Sequence, residues 1–254
     1  MASIETRQAK IKNSRRLIVN ADDFGMSAGV NRGIVEAHCR GIVTSASLLV
    51  RWPAAVQAVA LSREWPRLGL GLHVDLGEWV YRNGKWAAVY EVVSLRDQAS
   101  VSREVSRQFE LFRQLTGRNP THLDSHQHVH REEPIRSIMA DIANKCSIPL
   151  RHFSPRVTYC GTFYGQSGNG ELFPETISAA SLIRVLSELP SGVTELCCHP
   201  GLDDDLNTMY CHERFEEVKT LTDQAVRSAI HDLGIELCSF NDLAEIQHAG
   251  DRQS

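Results

Sequence analysis

Leu17-Ile18-Val19-Asn20-Ala21-Asp22-Asp23 is the first instance of a pattern that recurs along most of the chain. A short apolar run ends in polar residues, and an amphipathic helical stretch follows at residues 30–40. Runs of these two kinds then alternate about seven times. Strict alternation of β and α segments predicts a parallel sheet with right-handed crossover connections.

The alternation has a defined order. The predicted strands are Leu17–Ala21, Ile42–Val50, Gly69–Val74, Thr121–His126, Pro149–Phe153, Thr194–Cys198 and Ile235–Cys238. The predicted helices are Val30–Arg40, Pro53–Ser62, Ser102–Leu115, Pro134–Asn144, Ile177–Glu188, Glu213–His231 and Asp242–Gln247. About seven repeats in 254 residues predict an α/β fold of the (β/α) barrel type, TIM-like but irregular. An open doubly wound sheet is the competing arrangement, and the lack of a Gly-rich phosphate fingerprint after the first strand argues against a nucleotide-binding version of it.

Bulk properties place the chain among globular proteins. Hydrophobic residues make up 42% and charged residues 23% of the sequence, which predicts a folded core rather than disorder. The formal net charge of -4, with Lys and Arg spread along the chain, provides no electrostatic footprint for nucleic acid or for an anionic membrane. We expect a single catalytic domain over residues 1–254, with residues 1–15 as a flexible lead-in.

The N-terminus and the cysteines predict the compartment. Met1–Arg16 lacks the apolar core of a secretory signal, and no apolar run approaches the ~18 residues that a membrane span needs. The seven cysteines are odd in number and include the adjacent pair Cys197 and Cys198, which favours free thiols over a disulfide framework. We therefore expect a cytoplasmic protein without integral membrane contact.

Two long connections, Leu76–Ala99 and Ser154–Pro174, follow predicted strands. Both should lie at the C-terminal face of a barrel, where long loops usually shape an active site. The second connection carries Tyr159, Phe163 and Tyr164. These rings could stack on a sugar or simply pack the loop down, and the sequence favours neither.

Residues suited to catalysis collect at the ends of the predicted strands. Asp22 and Asp23 end the first strand, His73 and Asp75 the third, and His199 the sixth. The C-terminal ends of parallel barrel strands converge on one mouth. Residues far apart in sequence should therefore become neighbours there.

The stretch His122-Leu123-Asp124-Ser125-His126-Gln127-His128-Val129-His130 is the densest of these groups. Residues two apart share one face of an extended strand, so Asp124 and the four histidines would project the same way. Neutral imidazoles and carboxylates bind divalent metals well, which favours a metal site over a solvated strand end. If the chain turns helical after Ser125, His126 and His130 share a face instead. The pattern does not say which histidines ligate.

Asp22 and Asp23 form the second group. Adjacent acids directly after an apolar strand cannot both point into solvent, and one could bind a metal while the other acts as a general base toward water. The alternative is a carboxylate that caps a helix N-terminus. Because Ser27 is available to cap the next helix, we favour the functional role for the two aspartates.

His73 and His199 are weaker signals when taken alone. Gly69 and Gly71 beside His73 indicate close approach of the backbone to a neighbour. Adjacent cysteines in a strand face opposite ways, so the pair before His199 should be buried as small apolar groups rather than ligate one ion. His199 itself is a candidate general acid, with a structural histidine as the alternative.

Five blocks of sequence, taken in order, resemble the YdjC-like carbohydrate deacetylases, the group that contains chitooligosaccharide deacetylases. The blocks are Leu17-Ile18-Val19-Asn20-Ala21-Asp22-Asp23-Phe24-Gly25, Gly41-Ile42-Val43-Thr44-Ser45, Gly71-Leu72-His73, Thr121–His130 and Cys198-His199-Pro200-Gly201. The resemblance covers residues from about Arg16 to Leu243, and the first and fourth blocks together are specific to that family.

The resemblance implies an irregular TIM-like barrel, related to the NodB-type polysaccharide deacetylases, with one divalent metal ion, Mg²⁺ or Zn²⁺. The implied metal ligands are Asp23, His73 and His126. Asp22 would be the catalytic base and His199 the acid. The positions implied for substrate binding or for support of the ligands are His128, His130, Asp124 and Tyr164. NodB-type relatives usually space two ligand histidines four apart on one segment, whereas His73 comes from a separate strand here.

The predicted reaction is hydrolysis of the N-acetyl group of an amino sugar, with a small N-acetylglucosamine-containing oligosaccharide or conjugate as substrate. A phosphoesterase or another amidohydrolase is the first alternative, but few basic residues apart from Arg131 and Arg151 lie in the motifs, and phosphate sites usually recruit them. A non-catalytic carbohydrate-binding protein is the second, although such a protein needs no base beside a metal. The sugar, the metal and the formation of a homo-oligomer are left open.

Overall fold

The computed structural model describes residues 14–202, 206 and 208–243, so most of the predicted lead-in and the end of the predicted last helix lie outside the described residues. The strands are β1 (Arg15–Phe24), β2 (Ser45–Leu48), β3 (Gly69–Val74), β4 (Gly77–Arg82), β5 (Lys85–Glu91), β6 (Leu123–Ser125), β7 (Thr158–Cys160), β8 (Gly192–Cys198) and β9 (Ile235–Leu237). The α-helices are α1 (Ala28–Cys39), α2 (Ala55–Glu64), α3 (Gln98–Thr116), α4 (Ile135–Cys146), α5 (Ala179–Ser187), α6 (His212–Leu221) and α7 (Gln224–Asp232). Short 3₁₀ helices occur at His126–Arg131, Pro174–Ile177 and Phe240–Asp242.

A seven-stranded parallel sheet carries the site. Its order is β6-β3-β2-β1-β8-β7, and β9 pairs with the first residues of β1. Every pairing in this sheet is parallel, so the strand C-terminal ends lie on one side. Strand β1 is central, and its residues 17–24 are all buried. The predicted α/β fold of irregular, TIM-like barrel type is confirmed.

The helices bury their apolar faces against this sheet. In α1 the buried residues Val30, Ile34 and Ala37 recur at helical spacing and join the same core cluster as Leu17 and Val19 of β1. Burial of each large aliphatic side chain contributes roughly 1.5–3 kcal/mol relative to exposure. This packing holds the C-terminal end of β1, with its two aspartates, in a fixed position.

Several local predictions are confirmed. Ser27 caps α1, since its hydroxyl accepts a hydrogen bond from the Val30 N–H at 3.0 Å. Gly117 ends α3 in the left-handed region with φ 75°. Gly71 lies so close to His122 that a Cβ added there would be 2.4 Å from the imidazole ring. The glycine in β3 therefore makes room for a buried histidine.

The long connection predicted over Leu76–Ala99 lies beside the cavity as expected, but it is not irregular throughout. The segment contains the antiparallel hairpin β4–β5, whose turn residues Asn83 and Gly84 have φ 53° and 77°. Asn-Gly is the preferred pair for a tight hairpin turn because both positions need positive φ. The signal for the hairpin was thus present in the sequence.

Three other segments differ from the predictions. The second long connection contains β7, which pairs with β8. Pro149–Phe153 was expected as a strand but is a turn that keeps one bridge, between Leu150 and Leu123. The predicted helix Glu213–His231 is divided, because Asp223 adopts an extended conformation and caps α7.

All seven cysteines are free thiols, as predicted. Cys197 and Cys198 are both buried, in agreement with the expected role as small apolar groups. In the described part of the chain, every helix is too short or too polar to cross a lipid bilayer.

Candidate active site

The C-terminal ends of the sheet strands surround a cavity of about 480 Å³. Of the residues predicted from the sequence, those that line it are Asp22, Asp23, His73, His126, His128, Tyr164 and His199. Asp124 and His130 are buried and lie outside the lining. The cavity walls are largely aromatic and include Trp79, Trp86, Tyr159, Phe163, Tyr164 and Tyr210.

Asp23, His73 and His126 converge on the cavity floor from three separate segments. The Asp23 Oδ1 atom lies 3.5 Å from His73 Nε2 and 3.2 Å from His126 Nδ1. Each residue offers a ligand atom, and these atoms all lie within 4.8 Å of one another. Asp23 adopts φ 68°, a left-handed conformation that Asp tolerates better than most residues. The side chains thus form a group, the Asp23–His73–His126 group, that could hold a metal ion.

Asp124 orients His73 from behind. Its Oδ1 lies 2.7 Å from His73 Nδ1, which leaves Nε2 directed at Asp23. Burial alone would lower the pKa of His73, but Asp124 and then Asp22 outweigh it and raise that pKa to about 10. A carboxylate on the far nitrogen of a ligand histidine is the arrangement that fixes its tautomer and ring orientation.

Asp22 is held by a bidentate ion pair. The two terminal guanidinium nitrogens of Arg151 each donate to one carboxylate oxygen of Asp22 at 2.7 Å, and the Asn20 amide donates to Oδ1 at 2.9 Å. Burial opposes ionisation, yet Arg151 and His73 hold the pKa of Asp22 well below its usual range. Asp22 is therefore ionised near neutral pH.

Arg151 is the central cation of the buried site, since it also pairs with Asp124 at 2.8 Å and Glu195 at 2.6 Å. Its role at the site was not predicted from the sequence. Its position at a turn after Leu150, next to β6, brings it under the ends of β1 and β8. The only local sign of this position in the sequence is that a basic residue directly follows the apolar pair Pro149-Leu150.

His199 follows β8 and faces Asp22. Its Nε2 lies 3.9 Å from Asp22 Oδ2, and its backbone N–H donates to the Glu217 carboxyl. Burial lowers the pKa of His199 to about 4, against the opposing effect of Asp22, so the ring is neutral near pH 7. Tyr164 lies edge-on to this ring at 5.4 Å and stacks on Tyr210.

Two further cavity residues were missed in the sequence analysis. Arg214 of α6 donates to Asp23 Oδ2 at 2.6 Å, and no local signal in α6 marks it. Trp79 of the β4–β5 hairpin exchanges two hydrogen bonds with Gln127, at 2.8 and 2.9 Å. The hairpin is thereby tied to the turn that carries His126.

The histidine-rich stretch does not place its side chains on one face. Strand β6 ends at Ser125, and Gln127 and His128 have φ 50° and 54°, which interrupts the 3₁₀ helix that follows. His122, which lies before β6, contacts Ser47 within the core at 3.0 Å, whereas His128 lines the cavity. The strand prediction for the whole stretch is wrong because the chain leaves the extended conformation after three residues.

The helical alternative, with His126 and His130 on a common face, is wrong as well. His126 contacts Asp23, whereas His130 turns away, with its Nδ1 2.6 Å from Ser125 Oγ. His130 packs beside His128 and His152 instead.

The YdjC-like protein family model matches residues 16–232. A chitooligosaccharide deacetylase of Serratia marcescens is 35% identical, over 89% of this chain and 98% of the relative. A crystal structure from Enterococcus faecalis, of a protein named for cellobiose-phosphate cleavage, has 27% identity and a TM-score of 0.74 over 91% of this chain and 99% of that one. A family 4 carbohydrate esterase of Streptomyces lividans shares the fold, at a TM-score of 0.51, 14% identity and coverage of 89% and 91%.

Proposed function

Because this chain belongs to the YdjC-like protein family, we propose that it is a carbohydrate N-deacetylase that hydrolyses the N-acetyl group of an amino sugar. The single observation that carries the proposal is the convergence of Asp23, His73 and His126 beside Asp22 and His199 at the floor of one cavity. The curated relatives at about 35% identity, named chitooligosaccharide deacetylases, support the substrate class.

The Asp23–His73–His126 group fits one divalent ion, Mg²⁺ or Zn²⁺. It supplies two imidazoles and a carboxylate, and the Asp124 carboxylate behind His73 is the expected support for a ligand. The bound ion would polarise the acetyl carbonyl and lower the pKa of a water. The proton that His73 holds without an ion would be released on binding.

Asp22 and His199 are proposed to move the proton. Asp22 is ionised and faces His199 across 3.9 Å, so it takes the proton of the attacking water. His199 is neutral at rest and cannot donate before it has received a proton. The proton that Asp22 takes from water therefore passes to His199, which donates it to the departing sugar nitrogen. One proton leaves the water and one is added to the amine, so the step balances.

The aromatic walls are suited to a sugar substrate. A cavity of about 480 Å³ lies in the usual size range for small-molecule sites. Trp86 stands at the mouth with 52% of its surface exposed, an open ring face on which a second sugar unit can stack. We propose an N-acetylglucosamine-containing oligosaccharide or conjugate as the substrate.

Against the phosphoesterase alternative, both arginines that the structure describes at the site are already paired with carboxylates. Arg151 is engaged by Asp22, Asp124 and Glu195, and Arg214 by Asp23. A substrate phosphate would have to displace these carboxylates. The relative named for cellobiose-phosphate cleavage makes a phosphorylated disaccharide the right competing substrate in a test.

The test is acetate release from chitobiose and N-acetylglucosamine by metal-stripped protein, with and without added Zn²⁺ or Mg²⁺. Metal-dependent release that the Asp22→Asn variant lacks is the expected result. Phosphate release from a phosphorylated disaccharide, with no acetate from any N-acetylated sugar, would replace the proposed reaction. If no substrate is hydrolysed and the protein binds no metal, the proposal that it is a metal-dependent enzyme is excluded.

A further inference from the structure

His128, His130 and His152 form a second group of potential ligands, the three-histidine cluster. Each residue offers a ring nitrogen, and these nitrogens all lie within 4.8 Å of one another. The ring centroids are 5.2 to 6.0 Å apart. The cluster shares no residue with the Asp23–His73–His126 group.

One nitrogen of each ring is buried without a hydrogen-bond partner among the described residues. These atoms are His128 Nδ1, His130 Nε2 and His152 Nε2. A buried polar atom normally has a partner, because removal from water without a replacement bond is costly. Three such atoms on three neighbouring rings indicate that something outside the chain satisfies them.

The opposite nitrogens of two rings are held by hydroxyl groups. Tyr159 Oη lies 3.2 Å from His128 Nε2, and Ser125 Oγ lies 2.6 Å from His130 Nδ1. If each of these nitrogens donates its N–H, His128 Nδ1 and His130 Nε2 carry the lone pairs that can bind a ligand. A partner on the far nitrogen is what fixes the tautomer of a metal-ligating histidine.

The cluster contains no acid. In the described part of the chain, no hydrogen bond or ion pair joins these three rings to a carboxylate, while Arg151, next to His152, is already neutralised by Asp22, Asp124 and Glu195. Three neutral imidazoles suit Zn²⁺ or another imidazole-binding transition metal, and are poor ligands for Mg²⁺, which prefers oxygen. Three protein ligands leave a fourth position open for water.

We propose that His128, His130 and His152 form a second metal site, of the zinc type, separate from the ion of the proposed reaction. A bound ion joins the turn after β6 to the turn that carries Arg151. Backbone geometry agrees with a built feature, since His128 and His152 both adopt positive φ, at 54° and 67°, where non-glycine residues are uncommon. The site borders the cavity because His128 also lines it.

The test is the number of zinc ions bound per chain, counted by elemental analysis after metal-stripped protein is loaded and freed of excess metal. The variants are His152→Ala, His126→Ala and the double variant, and the control is His231→Ala at an exposed histidine outside both groups. His152 is chosen because it is only partly buried, so its loss perturbs the core least. Cobalt loading adds a readout, since four-coordinate Co²⁺ absorbs strongly in the visible range.

Two zinc ions are expected for the wild type and for His231→Ala, one for each single variant, and none for the double variant. One ion in both the wild type and His152→Ala would overturn the proposal, because the three-histidine cluster would then bind no zinc. Two ions in His152→Ala would also overturn it, by placing the second ion elsewhere. If His152→Ala does not fold, His128→Ala gives the same count. The result does not depend on the proposed reaction, because no substrate is used.

Discussion

The two histidine groups both draw on the stretch 122–130, His126 for one and His128 with His130 for the other, but they lie in opposite electrostatic environments. In the Asp23–His73–His126 group, Asp124 and Asp22 outweigh burial and raise the pKa of His73 to about 10. In the three-histidine cluster, burial with the added effect of Arg151 lowers the pKa of His128 to about 2, and burial lowers that of His130 to about 3 despite Asp124. The carboxylate in contact with His73, and the lack of such a contact at His128 and His130, account for this difference.

The difference also assigns different chemistry to the two groups. A carboxylate-rich group gives an ion mixed oxygen and nitrogen ligands beside a proton-transfer pair. The three-histidine cluster offers nitrogen alone, and among the described residues no carboxylate forms a hydrogen bond or ion pair with it. We therefore expect removal of ligands from the first group to abolish activity, and removal of His152, which lies outside the cavity lining, to leave most of it.

The largest effect is expected from His126→Ala. Loss of one of three ligands should empty the Asp23–His73–His126 group and reduce kcat/KM by on the order of 10⁴-fold, since a metal supplies several kcal/mol of transition-state stabilisation and each 1.36 kcal/mol is tenfold. Acetate release and zinc content are measured together. His152→Ala should stay within about threefold of wild-type kcat; equal losses in the two variants would mean that the groups do not differ as proposed.

Asp22→Asn should reduce kcat by about 10³-fold, within the usual range for loss of a general base. Metal content should not change, because Asp22 is assigned to proton transfer rather than to metal binding. Arg151 keeps Asp124 and Glu195 as partners, so the variant should fold, which thermal denaturation checks. Wild-type turnover in Asp22→Asn would instead make His199 the base.

Asp124→Asn should weaken zinc binding to the Asp23–His73–His126 group by about 10–100-fold, the usual cost of losing a residue that supports a ligand. The physical reason is that His73 loses the carboxylate that holds its tautomer and orientation. Isothermal titration of metal-stripped protein separates this weakened site from the three-histidine cluster, whose affinity should be unchanged. A matched loss at both sites would point to a general folding defect.

The smallest expected effect is on the pH dependence of stability and concerns Glu217. Burial raises the pKa of Glu217 from its ordinary value of 4.5 to about 8. The folded state then holds a proton that the unfolded state has lost, so Glu217 makes stability fall as pH rises between these values. Glu217→Gln should remove up to about 1.4 kcal/mol per pH unit of this slope between about pH 6.5 and 8. Urea unfolding across that range measures it, and Glu216→Gln, at an exposed neighbour, should keep the wild-type slope.

The features that were predicted correctly from the sequence depend mostly on local chemistry. The apolar run of β1, the Ser27 cap and the close approach at Gly71 are all decided by neighbours in sequence or by the bulk of one side chain, and all are confirmed. The family and the barrel type followed from the same blocks and are confirmed too. The roles of Asp22, Asp23, His73, His126 and His199, the single-domain organisation and the cytoplasmic location stay predictions.

The hairpin β4–β5 was missed although its Asn83-Gly84 turn could have been read from the sequence. Arg214 and His152 were missed for a deeper reason, since nothing in their own segments marks them. Arg214 reaches Asp23 across 191 positions of the chain, and His152 meets His130 only because the turn after Leu150 lies beside β6.

The sequence by itself determined that β and α segments alternate and that acids and histidines follow the strands, because periodicity and composition are properties of neighbouring residues. Only the tertiary structure decided which of those side chains meet. Alternating histidines share a face only while the backbone stays extended, and two left-handed residues, Gln127 and His128, end that condition after Ser125. The same motif is thereby divided between a carboxylate-bound group and a carboxylate-free one, a division set by φ angles and by partners distant in sequence.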